Sequence, residues 1–466
     1  MNDSTGSVLP DAEPQPVAER PQPAEVRRGV GRDVLLTFGG RLALTAALIV
    51  GDVILARGLG PEGKGAFVLL LNLSSLGALV LALGLDRSLA VFAARSLGAA
   101  RTAFANVVLW TLIVGGLGVL AIIALYGPRT ADHAPTGLLA PLLPELTAPQ
   151  LLYGALALPG EIAFTIGLVG LLGRQRVLAY NVLRFLRRGV FVVLLVGLLA
   201  LGRLDLELVL LLNLVALAVT VVGIVWAMTR ARMVGLGPSA RLLIEQVSFG
   251  GRTMIGTLAE RLHFRANTFL LNAFIGVGAT GVFSVALGLA EILWYLPTSF
   301  GLVLFSRAVQ GGREGANIAS AMTRTVLAVM IVAAVPLWFL APAMVELVYG
   351  APFAQAGTAL QVMLPGVVAY SIVAVLTHPL IAWGAPGRVT LVLLAGLAVN
   401  LAANMLLIPE LGMNGAAAAS TISYTLTALM ILLLYRHLSG HGLRQALVIR
   451  RSDVSRVRHE IRTRFA

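Results

Sequence analysis

The amino-acid sequence predicts an all-α integral membrane protein with about 12 transmembrane helices in two six-helix lobes around a central cavity. Three observations carry this. First, 58% of the 466 residues are hydrophobic, only 12% are charged, and the mean hydropathy is +0.89. A water-facing protein of this length needs more polar surface than that, whereas helices in lipid do not. Second, apolar windows of about 20 residues, the length that crosses a hydrocarbon core, recur along the whole chain. Third, short segments of the first half recur in the same order in the second.

The windows fall at 34–56, 65–86, 103–126, 151–172, 181–202, 207–229, 244–274, 281–305, 318–341, 359–383, 389–408 and 414–435. With both termini in the cytosol, the inner loops hold Arg87, Arg95, Arg101, Arg174, Arg176, Arg230, Arg232, Arg241, Arg307, Arg313 and Arg388. The outer loops hold only Arg57, Lys64, Arg129 and Arg203. The bias has the sign that the positive-inside rule requires, so the layout supports itself. The fifty glycines suit close helix packing in lipid.

The repeat is visible in three places. Phe38-Gly39-Gly40-Arg41 recurs as Phe249-Gly250-Gly251-Arg252; Gly60, Gly65 and Phe67 recur as Gly276, Gly281 and Phe283; Leu158-Pro159-Gly160 recurs as Leu364-Pro365-Gly366. Parallel repeats of this kind place substrate between the lobes. The expected boundaries are a disordered cytosolic tail at 1–32, an N-terminal lobe at 33–235, a C-terminal lobe at 236–440 and a basic amphipathic cytosolic tail at 441–466. The first tail is rich in Pro, Ala and Glu and has no periodicity. It also lacks the basic start and apolar run of a secretory signal peptide. In the last, Leu443, Leu447, Val454, Ile461 and Phe465 share one helical face among arginines, which suits an anionic inner leaflet.

Several chemistries are excluded or disfavoured. There are no cysteines, hence no disulfide, thiolate metal site or cysteine nucleophile. No P-loop spacing is present, so this chain does not hydrolyse ATP by that route. The net charge of +13 sits in short loops and tails between apolar segments. Membrane headgroups fit it better than nucleic acid, and no cofactor or metal is expected. The loop from Gly127 to Gln150 holds Asp132, His133 and Glu145, but its five prolines read as a stiffened surface loop, and the chain is not expected to be an enzyme.

The informative side chains are charges inside the spans, because a charge near the bilayer centre costs at least about 2.5–3.5 kcal/mol. Arg41 and Asp52 share one face of the first span, three turns and roughly 20° apart. The seventh carries Arg252, Glu260, Arg261, His263 and Arg265, with Gly256 offering a bend that would gather them into one cavity. A competing reading pairs Arg261 and Arg265 with Glu291. These seven residues are the candidate substrate-binding set. Glu161 and Glu291 are ion-coupling candidates, or else fixed partners of arginines. Arg184, Arg187 and Arg188 share a face of the fifth span and read as snorkelling to headgroups. Asn400 and Asn404 lie one turn apart on an apolar helix, where buried amides need partners on other helices or in a wet cavity.

Two stretches carry a family resemblance. Asn400 to Tyr424, NLAANMLLIPELGMNGAAAASTISY, resembles the last two helices of O-antigen-type polysaccharide flippases, in the superfamily that also holds lipid II flippases and MATE exporters. Leu55 to Phe67, LARGLGPEGKGAF, resembles that family's first extracytoplasmic turn. The resemblance implies a two-lobed chamber in the bacterial inner membrane. Its basic lining would pass the headgroup of a polyprenyl-pyrophosphate-linked oligosaccharide while the tail stays in lipid. Glycan polymerases or glycosyltransferases are the implied partners. Twelve spans rather than fourteen separate this chain from the lipid II flippases. The alternatives are a cation-coupled multidrug exporter of the same superfamily, which wants an acidic interior, or a polytopic polysaccharide polymerase or ligase, which wants long outer loops.

Overall fold

A computed structural model describes residues 26–127, 137–143, 145–295, 297–298 and 312–448, with side chains for all of these except 26–46, 252–253 and 312–314. Two compact units divide at Ala46/Ala47. The first is described only as helical backbone from Val26. Helix therefore begins inside the segment 1–32 that composition reads as disordered; no proline follows Pro23 there to stop it. The rest of the account concerns the second unit.

Among the described residues the chain is helical, with α1 Val26–Ala82, α2 Leu85–Arg95, α3 Leu97–Tyr126, α4 Ala148–Gly173, α5 Val177–Ala200 and α6 Leu206–Arg230. There follow α7 Ala240–Phe274, α8 Val277–Leu293, α9 Gly312–Tyr349, α10 Gln355–Ala382, α11 Pro386–Ser439 and the short α12 Leu443–Leu447. Two of these fold back on themselves. Helix α11 has 54 residues, about 80 Å if straight, far beyond the hydrocarbon core. It breaks at Gly412, whose φ of 57° only glycine adopts freely, just after Pro409. Helix α1 breaks at Gly60, before Pro61. Among the described residues, counting each arm, twelve helical passes overlap the twelve expected windows, and the end of the window 281–305 lies outside the described residues. Among the described residues, seven helices meet both the length and the apolarity of a membrane span. Helices α5 and α7 fall short through their charges and α8 through its length.

The sequence accounts for the helix ends. Ser96 and Ser239 accept hydrogen bonds from Ala99 and Leu242 at the starts of α3 and α7. Thr147 and Gln150 form a reciprocal capping box on α4. Small residues let the helices approach: Gly154, Gly160, Gly167 and Gly170 of α4 admit Leu70, Leu217, Ile224 and Leu89.

Two hydrophobic cores result. One is built mainly from α1–α6, the other mainly from α7–α11. The connecting segment is bound to the first: Asn106 of α3 donates to Ser239 O at 3.1 Å and to Gln246 Oε1 at 2.9 Å, and accepts from Ser239 N at 2.8 Å. Leu242, Leu243 and Val247 of α7 accordingly pack on the first core.

The C-terminal segment departs from expectation. Helix α12 stops at Leu447, Leu443 and Leu447 pack on the second core, and buried Arg324 of α9 donates to Gln445 O. Those two leucines are thus partly buried against protein. Val454, Ile461 and Phe465 lie outside the described residues.

Candidate functional site

Among the described residues, three ion pairs that join separate helices or helix arms and one neutral network stand out within the bundle. The Gly60 turn makes the first pair. By folding α1 back, it brings Lys64 Nζ to 2.8 Å from Asp52 Oδ2, twelve residues away in sequence and about 18 Å away in an unbroken helix. Lys64 is only 1% exposed and its ammonium lies 5.2 Å from the Tyr349 ring centre and 5.7 Å from that of Phe353. This corrects one expectation: Lys64 is not an outer-loop residue but lies buried in the returning arm of α1, where it pairs with Asp52.

The second pair joins Glu161 of α4 to Arg187 of α5 through two parallel hydrogen bonds, one of 2.8 Å, with the guanidinium 4.8 Å from the Phe164 ring centre. Arg187 therefore turns inward instead of snorkelling, because a buried carboxylate within reach outweighs solvation at the interface. A small cleft beside it, with room for little more than one water molecule, is lined by Ser74, Tyr153, Glu161 and Asn213 among leucines.

The third pair joins Arg265 of α7 to Glu291 of α8 at 2.8 Å, with both side chains about a third exposed. Helix α7 is continuous through Gly256, which admits Thr390 of α11. Glu260 and Arg261 are exposed. Arg87 of α2 reaches α7, donating to Thr257 Oγ1 at 3.0 Å, although its sequence position suggests a plain interfacial arginine. Arg41 and Arg252 lie outside the described side chains, so no geometry attaches to them, nor to Asp132 and His133 of the long loop.

His263 is fully buried, not poised over a chamber. Its Nε2 lies 3.0 Å from Ser423 Oγ. The Ser423 hydroxyl donates to Ser420 O and accepts from Asn400 Nδ2. Its remaining lone pair faces His263, so Nε2 carries the proton and Nδ1 is a bare acceptor. Asn404 Nδ2 donates to Asn267 Oδ1 at 2.7 Å, and Asn267 Nδ2 donates to Ser420 Oγ at 2.6 Å. Phe264, Trp294, Tyr370 and Tyr424 close the cluster, with ring centres 4.8–5.8 Å apart. The two asparagines do face other helices: α7 and the returning arm of α11. Their partners Asn267, Ser420 and Ser423 escaped the sequence reading, whereas Glu161 and Glu291 are paired with arginines, one of the two readings the sequence offered. His263 and Asn267 at i and i+4 were the one available signal. Among the described residues, no three His, Cys, Asp or Glu side chains gather as a metal site.

This architecture, a bundle with ion pairs and amides buried between apolar helices, is that of a polytopic membrane protein. The polysaccharide biosynthesis protein family matches residues 30–305, more than half the chain, and the protein belongs to that family. Residues 300–455 match the lipid II flippase MurJ family. No curated protein gives a match. Among solved structures, lipid II flippase MurJ in an inward closed conformation has a TM-score of 0.67 at 15% identity, covering 87% of this chain and 90% of its own. A multidrug resistance MATE transporter of the MOP superfamily, inward-facing, scores 0.66 at 16% identity, covering 85% and 94%. A MOP superfamily transporter from Pyrococcus furiosus, described as having a binding pocket of reverse polarity, scores 0.58 at 16% identity, covering 86% and 93%. The all-α membrane fold is shared with these proteins.

Proposed function

We propose that this protein is a flippase that carries a polyprenyl-pyrophosphate-linked oligosaccharide from the cytosolic to the outer leaflet of the bacterial inner membrane, with both termini cytosolic. Membership of a polysaccharide biosynthesis family supports the substrate class. One structural observation supports the charge it carries: the deep carboxylates Asp52, Glu161 and Glu291 each have a basic partner already. None is free to draw in a cationic drug, as the exporter reading requires. Of the other charges in the candidate set, Arg261 balances Glu260, and Arg41 and Arg252 leave it positive. Guanidinium forks suit phosphate oxygens.

In this reading two six-helix lobes, 33–235 and 236–440, enclose the headgroup, and Arg41, Arg252, Arg261, Arg265 and Glu260 contact it. Asp52 and His263 shape the helices behind them. Glu161 and Glu291 remain the coupling candidates, because a proton or ion arriving at either would release its arginine. Purified protein in vesicles with a fluorescent polyprenyl-pyrophosphate glycan tests the proposal. Arg41→Ala and Arg252→Ala should each abolish flipping while leaving insertion intact, and lysine at either position should restore it only partly. Wild-type flipping by both alanine variants, or export of a cationic dye, would replace this reading with the exporter.

A further inference from the structure

Helix α5 has an apolar lipid-facing side, where Val182, Val193 and Val196 are exposed. Two of its exposed arginines are elsewhere. Arg184 lies about 160° round the helix from Val182, and Arg188, one turn on from Arg184, lies about 140° from Val193. Both align instead with Leu195, to within about 20°, two and three turns farther along. Leu195 is fully buried.

Helix α1 packs on that aligned face. A Cβ on Gly51 of its first arm would lie 2.9 Å from Val192, and Phe67 of the returning arm stacks on Phe191 with ring centres 5.7 Å apart. Leu195 falls between these two contacts on the helix surface. One and two turns nearer the start of α5, the same face holds Arg188 and Arg184, and both are exposed. A helix face that protein buries at one level and leaves open at the next borders a space inside the bundle, not the lipid. The charge bias of the loops puts the Arg174–Arg176 turn, and so the near end of this space, on the cytosolic side.

The two cations are uncompensated. Among the described residues, the ion pairs of this half of the chain are Lys64–Asp52 and Arg187–Glu161, so the carboxylate at this level already belongs to Arg187. Like charges at i and i+4 repel one another, and charge between apolar helices is costly, so such a pair is rarely idle. Snorkelling does not account for Arg188, which stands eleven residues after Val177, about 16 Å along the axis. Asn181, half-buried on the same side, adds an amide.

We infer that Arg184 and Arg188 form a diphosphate site open to the cytosol, one guanidinium fork for each phosphoryl group, with Asn181 as a further donor. Residues one turn apart stand about 5–6 Å apart at Cβ, and each fork takes phosphate oxygens two at a time. The Glu161–Arg187 pair assists by removing the carboxylate that would otherwise compete with the anion. The inference deepens the flippase reading and rests on it: the site takes up the diphosphate of the glycan lipid as it leaves the inner leaflet.

Two measurements test the site. The chain has no cysteine, so Arg188→Cys gives a single thiol. In inside-out vesicles it should react with a charged methanethiosulfonate, whereas Val193→Cys on the lipid side should not. Binding of a fluorescent polyprenyl-pyrophosphate glycan to protein in phosphatidylcholine nanodiscs is the second. Arg184→Gln and Arg188→Gln should each raise the half-saturating concentration roughly tenfold, the effect of losing a charge-assisted hydrogen bond. Lysine at either position should cost less, and Arg203→Gln, which removes an equal charge from the outer side, should cost nothing. Inorganic pyrophosphate should compete with the glycan lipid, and phosphatidylglycerol should not. Competition by phosphatidylglycerol as strong as that by pyrophosphate would give both arginines to ordinary headgroups and overturn the site. So would unchanged binding in both glutamine variants, or an unreactive Arg188→Cys. If the wild type bound no glycan lipid, yet pyrophosphate raised its unfolding temperature and not that of the double glutamine variant, the diphosphate site would stand and the substrate assignment would fall.

Discussion

The two halves of the chain differ in their most prominent polar clusters. In the first half two ion pairs lie within the helices, Lys64 with Asp52 and Arg187 with Glu161, beside neutral buried groups such as Ser74 and Asn106. In the second the cluster is neutral and shared: Asn267, Asn400, Asn404, Ser420, Ser423 and His263 form one network with several donors per acceptor. The consequence for robustness differs. An ion pair in a low-dielectric interior fails all at once, since losing one partner strands a bare charge. A network of amides and hydroxyls loses one bond at a time. The first half is therefore the more sensitive to single substitutions, and its ion pairs are where a change of protonation would have the largest structural effect. The second half is the better candidate for a rigid frame.

The sharpest way to break the comparison is Arg187→Ala. It leaves Glu161, almost fully buried, with no counter-charge, and should cost about 3–5 kcal/mol. Thermal unfolding in detergent should show the loss, and Glu161→Gln added to it should recover most of it. Equal damage from the single and double variants would mean that Arg187 matters through its packing on Phe164 and not through the pair.

Lys64→Met should come next. Its carboxylate partner is 37% exposed, so stranded Asp52 regains some water and the cost should be smaller than at Glu161. Adding Asp52→Asn should restore stability, measured the same way. A larger loss than that of Arg187→Ala would reverse the ranking and point to the aromatic contacts with Tyr349 and Phe353 as the main term.

Asn404→Ala tests the neutral half. It removes a donor shared between Asn267 and Asn400, but Asn400 keeps its bond to Ser423. The cost should be about 0.6–2 kcal/mol, as for other interhelical hydrogen bonds in membranes. Loss of folding altogether would show that the network is as brittle as the ion pairs.

How far these differences were legible in the sequence depends on distance along the chain. The twelve apolar windows match the helical arms because length and apolarity are local properties. Asn400 and Asn404 were legible because two amides one turn apart in an apolar helix have few explanations. Their partners were not, since Ser420, Ser423 and Thr427 can each bond the carbonyl four residues back or nearby, so serine and threonine in apolar helices carry little signal. Lys64 was misplaced for a related reason. The Gly60-Pro61 turn was visible, but not that the returning arm would carry its lysine beneath Tyr349 of a helix almost three hundred residues on. Gly256 was ambiguous in the same way: a glycine can permit a bend or admit a neighbour, and this one admits Thr390.

The smallest effect on stability should come from Glu291→Gln, and that variant does most to separate the frame from the moving parts. The Arg265–Glu291 pair belongs to the second half of the chain but not to its buried network. Both side chains are about a third exposed, at 27% and 34%. After screening by solvent, neutralising the carboxylate should change stability by no more than about 1 kcal/mol. Its effect on turnover should be greater. With Glu291 uncharged, Arg265 loses its resident anion and offers its fork to the phosphates of the cargo, which should be held more tightly and released more slowly. The vesicle assay would then show a lower half-saturating lipid concentration and a lower maximal rate. Arg261→Glu should act oppositely, blocking uptake, because an exposed cation on α7 becomes an anion facing an anionic headgroup. If Glu291→Gln instead lowered the unfolding temperature as much as Arg187→Ala and left turnover unchanged, the Arg265–Glu291 pair would be a structural staple like its counterparts in the first half, and the coupling role would pass to Glu161 alone.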